Sequence, residues 1–224
     1  MKKLFRQVIK LIIHTVAIAG FIRGNTIVKS LSHFDYLDVD SVIQEQKEFG
    51  ACRDVTLEYP VAENEGEEDN TYLSYNMVVG NAADSQMAMA FEVLDYALLS
   101  APGAPLKQAL LDVKAGKDVY GSYDDGILQP YFTVIAKGSN PDRKEEFVSV
   151  IRQVLGDIVK NGIDKKAVEA GINYFEFRYR EADFSSYPKG LMYSLDILGD
   201  WLYEKGNPFA QVQQLAVFEN LKKA

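Results

Sequence analysis

Between Phe91 and Pro130 the chain reads FEVLDYALLSAPGAPLKQALLDVKAGKDVYGSYDDGILQP, and this stretch narrows the choice of folds most sharply. Phe91, Leu94, Asp95, Leu98 and Leu99 recur at the spacing of a helix with one mostly apolar face. Ser100-Ala101-Pro102-Gly103-Ala104-Pro105 must stop that helix, because proline cannot donate to the ladder and restricts the residue before it. Pro105 suits the first turn of a second helix, whose apolar face is Leu106, Leu110 and Leu111. Two helices bent sharply against each other need a sheet to bury their shared face, and strand-like segments lie on both sides. None of these side chains is an evident nucleophile, base or ligand, so the stretch itself reads as packing core.

The flanking sequence supplies that sheet and further helices. Arg53 to Tyr59 alternates, with Val55, Leu57 and Tyr59 on one side, and predicts a strand ended by Pro60. Thr71 to Val79 predicts a second strand, and Asp84 an N-cap for the helix carrying Met87 to Leu99. Val119 to Tyr123 and Tyr131 to Ala136 predict a strand pair joined through Asp124-Asp125-Gly126. Phe147, Val150, Ile151, Val154, Leu155 and Ile158 mark a helix over Glu145 to Lys160, stopped by Asn161-Gly162. Asp164 caps a helix running to about Ala182, and Pro188 to Glu204 and Pro208 to Lys222 predict two more. Strands gathered early and helices late give an α+β fold, an antiparallel or mixed sheet layered against helices.

Charge and composition exclude several functions. A net charge of −8 argues against nucleic acid as a partner, since phosphates demand clustered Lys and Arg. Glu63, Glu65, Glu67, Glu68 and Asp69 form a solvated loop. The single cysteine, Cys52, rules out an intramolecular disulfide. Met1 to Arg23 starts basic and turns apolar from Leu11 to Ile22, interrupted by His14. That stretch is too short for a comfortable membrane span and shows only a weak signal-like character, so a cytoplasmic chain is favoured. Val8, Ile9, Ile12, Ile13 and Val16 also fit a helix face, and both readings, amphipathic helix and targeting segment, stay open.

Catalytic chemistry is hard to find. The two histidines, His14 and His33, have no second histidine at helical ligand spacing. Ser185 and Ser186 have no histidine base, and no Gly-x-Ser-x-Gly elbow occurs. Glu176, Arg180 and Glu181 fit i,i+4 surface pairing. Asp124-Asp125-Gly126 lacks the further oxygen ligands of a calcium loop and reads as a turn. The aromatic cluster Tyr174, Phe175, Phe177, Tyr179 and Phe184 suits a core, or a wall against which a peptide could lie.

Leu98 to Asp112 (LLSAPGAPLKQALLD) resembles the second domain of presequence-protease-type zinc metallopeptidases of the pitrilysin–insulinase superfamily. The resemblance continues through Gly116 to Val119, Asp125 to Pro130, Glu176 to Phe184 and Pro188 to Leu191. It ends with Trp201-Leu202-Tyr203 and Asn207-Pro208-Phe209, covering about Phe34 to the C-terminus. Val113-Lys114-Ala115 departs from it, where the family has a small residue and glycine before Gly116. The resemblance implies the α+β domain of that superfamily over 53–224, a connector over 32–52, and a segment outside it over 1–31. It also implies that zinc is held elsewhere, by a His-x-x-Glu-His motif and a distant glutamate in the family's first domain. On this reading the chain has no catalytic residue, no metal ligand and no cofactor of its own, and is inactive alone. It is a non-catalytic lobe or fragment that buttresses a zinc-bearing peptidase domain and lines a peptide-degrading chamber. Its expected partners are that domain or a second copy, and unfolded peptides, with Tyr174, Phe177, Tyr179, Arg180 and Phe184 as candidate peptide-facing residues. The alternative is an independent peptide-binding or scaffolding module that retained the fold.

Overall fold

Asp84 starts the first helix as its spacing predicts: the Met87 amide donates to Asp84 Oδ1 at 2.9 Å, satisfying one of the donors a helix start leaves open. The computed structural model describes residues 29, 32, 43–62, 66–82, 84–182, 184–202, 207 and 209–223. The chain divides into two units, Met1–Val42 and Ile43–Ala224. In the first, only Lys29 and Ser32 are described, and the Ser32 hydroxyl donates to the Lys29 carbonyl at 2.7 Å. The expected helix or targeting segment over Met1 to Arg23, His14, His33, Glu63 and Glu65 all lie outside the described residues.

The second unit is an α+β assembly. Strands β1 (Thr71–Val78), β2 (Asp118–Asp124) and β3 (Tyr131–Ser139) form an antiparallel sheet in the order β1-β3-β2. Between β1 and β2 lie α1 (Ser85–Asp95), a π-helical turn (Tyr96–Ser100) and α2 (Pro105–Asp112). After β3 come α3 (Lys144–Asn161), α4 (Lys165–Glu181), α5 (Lys189–Leu202) and α6 (Leu215–Leu221). Asp164 caps α4 through the Lys166 amide at 2.9 Å. Gly162, at φ 85°, ends α3 in the conformation that glycine alone adopts without strain.

Two apolar clusters hold these layers together. The larger joins Leu73, Val119, Phe132, Val134 and Ala136 of the sheet to Leu98, Leu99, Leu106, Leu110, Phe147 and Ile151 of the helices. Leu106 and Leu110, the face expected of α2, are fully buried, while Leu111 is only partly so. The smaller cluster is Met89, Val93, Ile172 and Phe218, between α1, α4 and α6. Gly121 lets α1 and the π-helical turn sit directly on the sheet, because a Cβ there would clash with Leu99 and come within 2.6 Å of Asp95 Oδ1.

Three expectations are corrected. Arg53 to Tyr59 forms no strand: β1 pairs with β3 alone among the described residues, and Val55 and Leu57 are exposed. Alternation without a partner edge leaves only an extended chain, held at its far end by Tyr59, which packs edge-on to Tyr72. The helix expected from Pro208 is broken, with a 3₁₀ turn at Gln211–Gln213 before α6. The helix from Asp84 changes pitch at Tyr96, where the π turn begins. The departure at Val113-Lys114-Ala115 has a local explanation: Lys114 takes φ 55°, and the Ala115 amide closes back onto Leu110 O at 2.9 Å. A lysine therefore holds a left-handed position that glycine ordinarily fills.

Candidate functional site

A cleft of about 430 Å³ opens between α1, α4 and α5 and the β2–β3 turn. Helical phase decides which of the aromatic residues reach it. On α4, Phe175 and Glu176 lie three and four residues after Ile172, Tyr179 lies four and three after them, and all four turn inward, whereas Phe177 is exposed. Ala182 ends α4 in the left-handed region, at φ 48°. The chain turns back there, and the Phe184 ring meets Tyr193 of α5 edge-on at 5.1 Å and 89°.

Tyr179 and Phe184 thus line the cleft, and Tyr174, Phe177 and Arg180 lie outside its lining. The Tyr179 hydroxyl donates to Val212 O at 2.6 Å and accepts from the Gln214 amide at 3.2 Å. Its ring packs on Phe218 at 5.8 Å, so both its polar tip and its body are fixed. Tyr174 instead stacks on Tyr96, ring centroids 5.3 Å apart and nearly parallel. Arg180 forks onto Glu176 at 2.6 and 2.9 Å. The expected surface pair is in fact a triad: Glu176 is buried and also holds Lys222, from just beyond α6, at 2.5 Å. These two cations hold the Glu176 carboxyl below its ordinary range, Lys222 foremost.

The carboxylates of the lining come from elements the aromatic pattern did not touch. Glu92 of α1, Asp125 of the β2–β3 turn, Asp196 of α5 and Arg178 of α4 all face the cleft. Burial pushes the Glu92 carboxyl up to about 7; Asp125 and Asp95 push the same way, and Arg178 opposes. Burial also raises Asp95, whose Oδ1 is buried with no hydrogen-bond partner, Ser100 reaching only its Oδ2 at 3.4 Å. Beside them Tyr123 stacks on Phe91 at 5.5 Å, its hydroxyl pushed up to about 12 by burial and then by Asp125. One signal in the sequence could have pointed to Glu92: it is a carboxylate on a helix whose inward residues are mostly apolar.

The sign of the Glu92 shift fixes a pH dependence. A carboxyl raised in the fold binds its proton more tightly than in the unfolded chain, so its contribution is full below about 4.5 and lost as pH rises through about 7. Glu92→Gln keeps a neutral group of the same shape. It is expected to match the parent in urea melts near pH 4 and to exceed it by up to about 3 kcal/mol near pH 8. A variant no more stable than the parent at the higher pH would mean that Glu92 is well solvated.

Among the described residues no three His, Cys, Asp or Glu side chains converge as metal ligands. The donor set of the described residues does not fit a catalytic zinc, which takes three protein ligands and an open position. No described helix is long and apolar enough to cross a membrane. At the β2–β3 turn Asp124 Oδ1 accepts from the Gly126 amide at 3.0 Å, the local closure of a turn.

Comparison with known proteins gives a consistent picture. The family model described as the peptidase M16 inactive domain matches residues 15–175. Protein HypA of Clostridium perfringens is 41% identical over 194 residues, 87% of this chain and 20% of that protein. Presequence protease 1 of Arabidopsis thaliana, chloroplastic and mitochondrial, is 28% identical over 198 residues, 84% of this chain and 18% of that protein. This chain therefore spans about a fifth of the length of these relatives. The crystal structure of an inactive peptidase domain from Bordetella parapertussis is 14% identical, with a TM-score of 0.51, over 68% of this chain and 76% of that one. At that identity the likeness speaks for the fold.

Proposed function

Because the chain belongs to the family of peptidase M16 inactive domains, we propose that it is the non-catalytic lobe of a zinc metallopeptidase, buttressing a zinc-bearing domain and lining the chamber in which peptides are cut. Residues 53–224 are the lobe and 32–52 its connector. The zinc ligands and the general base belong to the partner domain, and this chain supplies walls.

One structural observation carries the association. Along α5, Leu191, Leu195, Leu198 and Trp201 are between 50% and 66% exposed, a row of large apolar side chains on one helix. A row of that kind on an isolated surface marks a contact with another protein element. The cleft adjoins it through Leu195, so a peptide lying over Tyr179 and Phe184 would run along the same side.

The test is reconstitution. Mixed with a zinc-bearing domain from a family member, the chain is expected to co-elute with it and to restore peptide cleavage that neither piece shows alone. Leu198→Asp should weaken the association by at least about tenfold, through an unpaired charge in an apolar contact. Cleavage by this chain by itself, or no association with any family zinc domain, would overturn the proposal. Peptide binding without such association would support the independent module.

A further inference from the structure

The cleft's charges and its aromatic faces select among the side chains that a peptide could place there. Its carboxylates come from three separate elements, Glu92 on α1, Asp125 in the β2–β3 turn and Asp196 on α5. Arg178 is the one basic residue among the described residues that line it. Its guanidinium lies 5.7 Å from the ring centroid of Tyr174, a residue outside the lining, so part of its charge is directed to the outer side of α4. A carboxylate-bearing ligand would meet Asp125 and Asp196, and a third like charge wherever Glu92 has lost its proton. A purely apolar one would bring neither charge nor hydrogen bond to them. A lysine or arginine side chain meets both needs, because its head can reach the carboxylates while its methylene stem lies on the Tyr179 and Phe184 rings. The volume of about 430 Å³ is within the range of about 300–1,000 Å³ common to ligand sites.

We propose that the cleft between α1, α4 and α5 is a subsite for a single cationic side chain of an extended peptide. This deepens the chamber-lining reading and rests on it. The subsite is coupled to protons. Glu92 faces Asp125 from the turn, Arg178 from α4, Asp95 from its own helix and Tyr123 from β2, and it titrates near neutrality. An arriving ammonium or guanidinium adds a second positive charge to that of Arg178. Glu92 then gives up its proton to solvent, and the bound state is carboxylate paired with cation.

The experiment uses the intact chain and two fluorescent peptides, capped at both ends and uncharged except that one carries a central arginine where its twin carries norleucine. At about pH 8 the arginine peptide is expected to bind at least about tenfold tighter than its twin. Near pH 6, where Glu92 holds its proton, the advantage should shrink to about threefold or less. Glu92→Gln should bring the advantage at the higher pH down to that residual value and remove its pH dependence. Asp196→Asn repeats the test from the opposite wall, with near-ultraviolet circular dichroism reporting whether each variant is folded. Equal binding of the two peptides, no binding of either, or an arginine preference untouched in both folded variants would overturn the subsite. Glu92→Gln should leave co-elution with the zinc-bearing domain unchanged, so failure here and failure of the lobe assignment give different results.

Discussion

Replacing Phe218 with alanine is expected to lower the stability of the described unit by about 3–5 kcal/mol. Phe218 is fully buried and is the only buried residue of α6 among those described. It fills the space between Met89 and Val93 of α1 and Ile172 of α4, and its ring also backs Tyr179. Truncation removes the transfer free energy of a whole aromatic ring and leaves a cavity that three helix backbones cannot all close. At roughly 2–4 °C per kcal/mol for a unit of this size, the melting temperature should fall by about 6–20 °C. The variant should also bind peptide poorly, since Phe218 is part of the cleft floor. Phe218→Leu, which keeps most of the apolar volume, should lose much less. A melt for Phe218→Ala within a degree or two of the parent would show that α6 is not packed where the structure puts it.

Leu110→Ala should cost about 2–5 kcal/mol, for a different reason. Leu110 has no exposed surface and lies in the sheet-side cluster with Leu106, Phe147 and Ile151. Its backbone carbonyl also accepts the Ala115 amide that closes α2, so the side chain and the helix end are placed together. The next residue provides the control: Leu111, only partly buried, should lose distinctly less on the same truncation. Peptide binding should be nearly unchanged in Leu110→Ala under conditions where it stays folded, because none of this cluster lines the cleft. Equal losses at the two leucines would mean that the register of α2 is wrong.

Much of this arrangement can be read from local chemistry. Asp84 and Asp164 cap helices because a short side-chain oxygen is in reach of an open amide, and Pro105 and Gly162 mark a start and a stop for reasons of φ. The hairpin strands show in their alternation, since β2 and β3 each need one buried face. What failed was information held by partners. Val55, Leu57 and Tyr59 alternate as a strand does, but whether an edge is there to receive them is not a property of those residues. The π turn at Tyr96 interrupts a helix whose own residues do not announce it. Of the five residues expected to face a peptide, Tyr179 and Phe184 line the cleft, and Tyr174, Phe177 and Arg180 lie outside its lining. The carboxylate wall joins residues from α1, a turn and α5, a convergence that only the tertiary fold creates.

The first helix and its π turn are shared property. Phe91, Leu94 and Leu98 serve the sheet-side cluster, and Met89 and Val93 serve the cluster with α4 and α6. The sheet keeps α2 and α3 when the outer helices leave, whereas α4 and α6 keep only each other, Tyr179 on Phe218, and lose Met89 and Val93 if α1 departs. Disassembly therefore has a direction. The cleft side opens first, exposing one face of α1 above an intact sheet layer, and that partial opening requires far less free energy than global unfolding. Protection of amide hydrogens should accordingly fall from β3 outward to α6. The cleft wall is thus the part of the molecule expected to loosen most easily, and anything that binds there would tighten it.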